Sequence, residues 1–134
     1  MQLDPGNEKP IFLQLAEAIE DNILTGIYPE ETQIPSTTEV AVTLKVNPAT
    51  ANRGVNLLVD EGIVYKKRGL GMFVSTGSRL RILTRRKQAF FQDFILPLLE
   101  EARNLGLSPE DVVEMLNHST GITTTERRNL DEQH

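Results

Sequence analysis

The residues with the most chemistry to offer lie between Ser36 and Gly69, and their types suit binding rather than reaction. Asn47-Pro48-Ala49-Thr50-Ala51-Asn52-Arg53 opens a helix: the Asn47 side chain can cap exposed backbone N–H groups, and Pro48 fits the first turn at no hydrogen-bond cost. Ala49, Asn52, Arg53 and Asn56 project from faces opposite the small or apolar Ala51, Gly54, Val55, Leu58 and Val59. Short, neutral or basic hydrogen-bonding groups of this kind suit base edges and phosphates in a DNA groove. An ordinary solvated helix face displays the same residues. Catalytic spacing is absent: there is no phosphate-cradling glycine loop, no metal-ligand cluster and no nucleophile beside a base, and His118 is far along the chain from Ser36 or Thr50. With no cysteine and only His118 and His134, neither a thiolate nor a metal centre is expected, and no cofactor.

Charge favours a nucleic-acid partner locally, although the net charge of −5 does not. From Lys45 to Lys87 there are ten Lys or Arg against only Asp60 and Glu61, and a binding face is governed by its local field. The chain of 134 residues, with 39% hydrophobic content and a mean hydropathy of −0.27, is long enough for one good core or a small domain with a helical appendage. No apolar run approaches the roughly 18 residues that span a membrane. The start has no secretory pattern, so a cytoplasmic protein is expected.

Several elements must position these residues. After an arm expected to be loose as far as Lys9, a first helix over about residues 11–25 carries Phe12, Leu15, Ala16, Ile19 and Ile23 at core spacing. Tyr28-Pro29-Glu30-Glu31 reads as a turn or short extended connection. Ser36 and Glu39 have capping-box spacing, so a second helix begins at Thr37 and ends before the Lys45-Val46 turn. Two short helices joined this way form a helix-turn-helix, and Ser36, Thr37, Thr38, Asn47 and Thr50 at the helix starts leave backbone N–H groups for phosphate oxygens. Beyond Gly62, β-prone runs around Arg68-Gly69-Leu70-Gly71 form a hairpin with a basic tip, the wing of a winged helix.

From Lys9 to Val74 the chain resembles the GntR family of bacterial transcription regulators. The matching residues are Pro10-Ile11-Phe12 with Gln14-Leu15, Gly26-Ile27-Tyr28-Pro29, Ile34-Pro35-Ser36, Glu39-Val40-Ala41, Asn47-Pro48-Ala49-Thr50, Glu61-Gly62 and Arg68-Gly69-Leu70-Gly71-Met72-Phe73-Val74. Asn-Pro-x-Thr with so short a C-terminal part is similar to the YtrA-like subfamily. The resemblance implies phosphate contacts from Ser36 and Thr50, and Arg68 and Gly69 at the minor groove. It further implies a repressor of its own operon, as with relatives beside ABC-transporter genes. Thr38 and Asn52 stand where the family commonly has arginine, with Arg53 and the Lys66-Lys67-Arg68 run available to supply that charge. Lys45 stands where the family often has glycine, which implies either backbone strain or a slightly different turn.

The C-terminal part reads as helix from a possible Ser78 cap, with Arg85 to Lys87 as a solvated face and Arg79 and Arg81 near enough to the wing for a DNA-backbone contact. Phe90, Phe91, Phe94, Ile95, Leu98 and Leu99 then form a stripe too wide for one helix to hide, Pro97 should kink it, and a last helix adds Val112, Val113 and Leu116. This surface suits either a dimer interface or an intramolecular core. The dimer is favoured because helix-turn-helix proteins read two half-sites about a two-fold axis, and the resemblance implies the same.

The expected fold is therefore mainly α with a small β-hairpin: a winged helix-turn-helix over residues 1–76, a two-helix dimerisation element over 77–120 and a frayed tail over 121–134. The expected partners are double-stranded operator DNA and a second copy of the chain. A small-molecule effector is unspecified or absent, because no polar constellation marks its site and the residues after the wing are too few for the effector domain of larger relatives. The competing function is a winged-helix module that binds protein rather than DNA, which the acidic total would suit.

Overall fold

The computed structural model of the protein describes residues 2–120. The elements are α1 (Ile11–Leu24), α2 (Thr37–Leu44), α3 (Pro48–Asp60), β1 (Val64–Lys67), β2 (Gly71–Val74), α4 (Ser78–Phe90), a π-helical turn (Phe91–Ile95), α5 (Leu96–Asn104) and α6 (Pro109–Thr120). They divide into two compact units, one ending at Arg86 and the other beginning at Lys87.

The first unit is organised by its apolar spacing. Leu15, Ala16, Ile19 and Ile23 form one face of α1 and are buried with Val40 and Ala41 of α2 and Ala51, Val55 and Leu58 of α3; Ile63, Val64, Val74 and Ile82 complete the core. Both helices of the helix-turn-helix begin at their sequence-marked caps. The Glu39 N–H donates to Ser36 Oγ at 3.1 Å and the Ser36 N–H returns to Glu39 Oε1 at 3.3 Å, while Asn47 Oδ1 accepts from the Ala49 N–H at 2.8 Å. Between them Lys45 adopts φ 55° and ψ 46°, the left-handed geometry that usually falls to glycine at a helix end, at a cost of roughly 1 kcal/mol for a residue with a Cβ.

β1 and β2 pair antiparallel with Val64 opposite Val74 and Lys67 opposite Gly71, leaving 68–70 as the wing tip. The stretch before α2 is more ordered than its turn-like composition indicates. Its backbone runs along β2, with the Glu31 N–H donating to Val74 O, the Val74 N–H to Thr32 O and the Ile34 N–H to Met72 O, and Gln33 bridging to Phe73.

Three expectations about this unit are corrected. The N-terminal arm is tied down rather than loose: Gln14 accepts from the Asp4 N–H and donates to Asp4 O and Lys9 O, Lys9 pairs with Glu17, and Leu3 packs on the core. Ser78 is no cap but a fully buried side chain whose hydroxyl donates to Ile63 O at 2.5 Å, because α4 starts against the link between α3 and β1. Arg85 and Arg86 are not a solvated face. Arg85 bonds Glu20 and Glu61; Arg86 bonds Asp21 at 2.7 Å, Glu17 O at 3.2 Å and Glu20 at 3.5 Å. Together they neutralise Glu20, which is 4% exposed and would otherwise leave a buried, unpaired carboxylate.

In the second unit, the helix accommodates Pro97 by widening rather than by breaking. The Leu96 N–H reaches back five residues to Phe91 O, so a π turn takes up the space the proline ring requires beside the preceding turn. A capping box between Ser108 and Asp111 starts α6. Ala102 and Val112 are the buried apolar side chains among the described residues of this unit. The tail expected to be frayed beyond Gly121 lies outside the described residues.

Candidate nucleic-acid interface

α3 presents Ala49, Asn52, Arg53 and Asn56 on its exposed side, and these four line one shallow groove of about 610 Å³ with Phe12, Leu13, Leu57 and Asp60. The groove exists because α3 lies hard against the start of α1. A Cβ built on Gly54 would stand 2.8 Å from the Phe12 carbonyl oxygen and 2.8 Å from Leu15 Cδ2, so glycine is what lets the helices close. Across the top of that contact the Arg53 guanidinium lies over the Phe12 ring, 3.8 Å from its centroid.

The helix starts keep donors in reserve. The Ser36 oxygen is occupied as the acceptor of the Glu39 N–H, but the hydroxyl still has its own proton to donate. Asn47 likewise uses its carbonyl oxygen as the cap and retains its amide N–H₂. Ser36, Thr37 and Thr50 are half-buried, while Thr38 and Asn47 are exposed.

The wing is braced from both sides. Gln33 donates to Leu70 O at 2.8 Å, and the Gly71 backbone, with φ 114°, passes so close that a Cβ there would meet Gln33 Nε2 at 2.6 Å. At the base of the hairpin Glu31 accepts from the Tyr65 hydroxyl at 2.6 Å and from the Thr76 hydroxyl at 2.7 Å and N–H at 3.1 Å. The Tyr65 bond first, and the Thr76 hydroxyl next, hold the Glu31 carboxyl below its usual pKa, while the same bond raises that of Tyr65. Lys67 lies over the Phe73 ring at 4.4 Å and the Tyr65 ring at 5.9 Å. Lys66, Arg68 and Gly69 are exposed at and beside the tip, and Gly69 takes φ 78°, which its missing Cβ allows.

Two arginines from the sequence-derived basic run have other partners. Arg81 donates to Gly62 O and Thr76 O at 2.7 and 2.8 Å, and Arg79 donates through Nε to Leu24 O and through its backbone N–H to Glu30. Both hold α4 to the winged helix. Conversely, Phe12 and Gln33 were missed as parts of the site. The spacing of Phe12 marks it as core, and no local pattern announces that α3 will lay an arginine on its ring; Gln33 sits in a turn-like stretch whose pairing partner is some forty residues away.

The apolar C-terminal residues are mostly uncovered. Phe90, Phe91, Phe94, Leu98, Leu99, Val113 and Leu116 are exposed, Phe94 at 63%, whereas Ile95 is half-buried and Val112 is buried within its own unit. Among the described residues no helix is long and apolar enough to cross a membrane.

Comparison with known proteins agrees with this architecture. Residues 12–74 match the family described as bacterial regulatory proteins, gntR family. The HTH-type transcriptional repressor YtrA of Bacillus subtilis is 27% identical over 87% of this chain and 88% of its own length. A solved structure assigned as a GntR-family transcriptional regulator, from Bacteroides thetaiotaomicron, is 34% identical with a TM-score of 0.74, covering 84% of this chain and 97% of that one. The solved structure of AraR(DBD) in complex with operator ORX1 is 27% identical with a TM-score of 0.50, covering 56% of this chain and 99% of that one. The chain belongs to the GntR family of bacterial regulatory proteins, as a DNA-binding transcriptional regulator built on a winged helix-turn-helix.

Proposed function

We propose that the protein is a dimeric repressor that binds a palindromic operator, with α3 in the major groove and the wing at the adjacent minor groove. The observation that carries this is the composition of the exposed face of α3: Ala49, Asn52, Arg53 and Asn56 stand on a rigidly packed helix and include donors and acceptors matched to base edges. Ser36, Thr37, Thr38, Asn47 and Thr50 at the helix starts would hold phosphates, as would Lys66 and Lys67, while Arg68 and Gly69 would enter the minor groove. The repressor role is supported by the similarity to YtrA, and operator binding by the similarity to AraR(DBD).

The dimer rests on the second unit. Its exposed Phe90, Phe91, Phe94, Leu98, Leu99, Val113 and Leu116, together with the half-buried Ile95, give far more apolar surface than two buried residues can anchor. A second copy supplies an identical apolar face and the two-fold axis that a palindrome requires. Val112, buried within its unit, would back that face from beneath.

Selection of duplexes from a random DNA pool, followed by sedimentation of the complex, tests both parts. The expected product is an inverted repeat bound by two chains. Enrichment of no common sequence would contradict the operator, and a monomer at micromolar concentration, with Phe94→Asp unchanged in mass, would contradict the interface.

A further inference from the structure

Arg53 does not stand free on α3. Its guanidinium lies 3.8 Å from the centroid of the Phe12 ring, and Phe12 is itself fixed where α1 and α3 close over Gly54. Stacking uses the face of the guanidinium and occupies none of its five N–H donors. No acceptor among the described residues takes one of them either. The result is a cation seated on a ring while its N–H donors remain unspent. Asn52 and Asn56 line the same groove.

We propose that Phe12 is a positioning residue for DNA reading: it presents Arg53 as a preoriented fork for the O6 and N7 acceptors of one guanine in each half-site. Bidentate reading of a guanine edge depends on the plane of the fork, whereas a phosphate tolerates many approaches. A guanidinium already ordered on a ring also loses less side-chain freedom on binding than a free one. This inference rests on the assignment of α3 as the groove reader.

The test uses the full chain and a duplex selected by it from a random pool, with single base-pair variants of each half-site. Arg53→Lys keeps the charge and the Phe12 packing but removes the fork, and is expected to abolish discrimination at one guanine position. Phe12→Leu should lower affinity about three- to tenfold, with the loss confined to that same position and the salt slope unchanged, while Phe12→Tyr stays within about twofold of wild type. Intact discrimination in Arg53→Lys overturns the proposal even if Phe12→Leu does not fold. So does a folded Phe12→Leu that binds as tightly as wild type, or one that loses affinity uniformly with a shallower salt slope, since these outcomes mean that Arg53 leaves the ring or holds a phosphate. If the wild-type chain selects no duplex, the groove-reading assignment fails first.

Discussion

Gly54 and Phe12 are in such close register that a Cβ on the glycine would stand 2.8 Å from the Phe12 carbonyl oxygen. Backbone oxygen cannot turn aside as a side chain can, so Gly54→Ala must push α3 off α1. The strain of overpacking is on the order of 1–3 kcal/mol, against about 1 kcal/mol gained from helix propensity. A net loss of melting temperature is expected in a thermal unfolding experiment. A stabilised Gly54→Ala protein would show that the two helices are not in contact there.

The carboxylate of Glu20 is the charge that α4 is folded to meet. Glu20→Gln leaves Arg85 and Arg86 without their shared partner, although both arginines are partly exposed and can hydrate. The expected destabilisation is therefore roughly 1–3 kcal/mol, below that of breaking a fully buried pair. Denaturant unfolding at neutral pH measures it; an unchanged midpoint would mean that the cluster contributes nothing.

Glu31 couples the base of the wing to pH. Its folded-state pKa lies below the usual 4.5 because the Tyr65 hydroxyl, and then Thr76, donate to the ionised form. A depressed acid stabilises the fold fully above its unfolded-state pKa and loses that contribution as pH falls through the folded value. Wild type should thus melt above Glu31→Gln by a constant margin from neutral pH down to about 4.5, and the margin should close in stronger acid. The Tyr65 phenol, raised above its usual 10.0 by the same bond, adds a loss of stability when pH rises through its folded value. A margin that persists unchanged into strong acid would rule out Glu31 as the source.

Among the described residues, neither a ring nor a carboxylate holds Arg68 at the wing tip, in contrast to Lys67 over Phe73. Arg68→Ala is expected to weaken operator binding by about ten- to a hundredfold, to relax any preference for A·T pairs at the flank, and to leave the melting temperature unchanged. Binding measured by gel shift checks this. Equal affinity for both proteins would remove the wing from the interface.

Much of the fold was legible because local chemistry dictates it. Ser36 with Glu39, Asn47 with Pro48, and Gly69 with Gly71 each declare a helix start or a turn within a few residues, and the GntR resemblance follows from their order. Lys45 was legible too, as a residue standing where glycine is easier. What escaped was long-range: Gln33 reaching the wing tip, Glu20 drawing two arginines back from α4, and Phe12 meeting Arg53. Each of these depends on how separate elements dock, and a side chain's own neighbours in sequence carry no trace of that. Pro97 was recognised as a disturbance, but the form it takes locally, a π turn at Phe91–Ile95, depends on which carbonyl the helix can give up.

The most direct measurement of the central claim is the salt dependence of binding to duplex DNA. If Lys66, Lys67 and Arg68 face the duplex and a two-fold axis doubles them, six cations meet it per complex, so log K should fall linearly with log salt at a slope of about −5. Specific binding that weakens in that way, with the selected operator preferred over random duplex, is the expected result. No binding to any duplex at low salt would contradict DNA reading by α3 and leave the winged helix as a surface for protein.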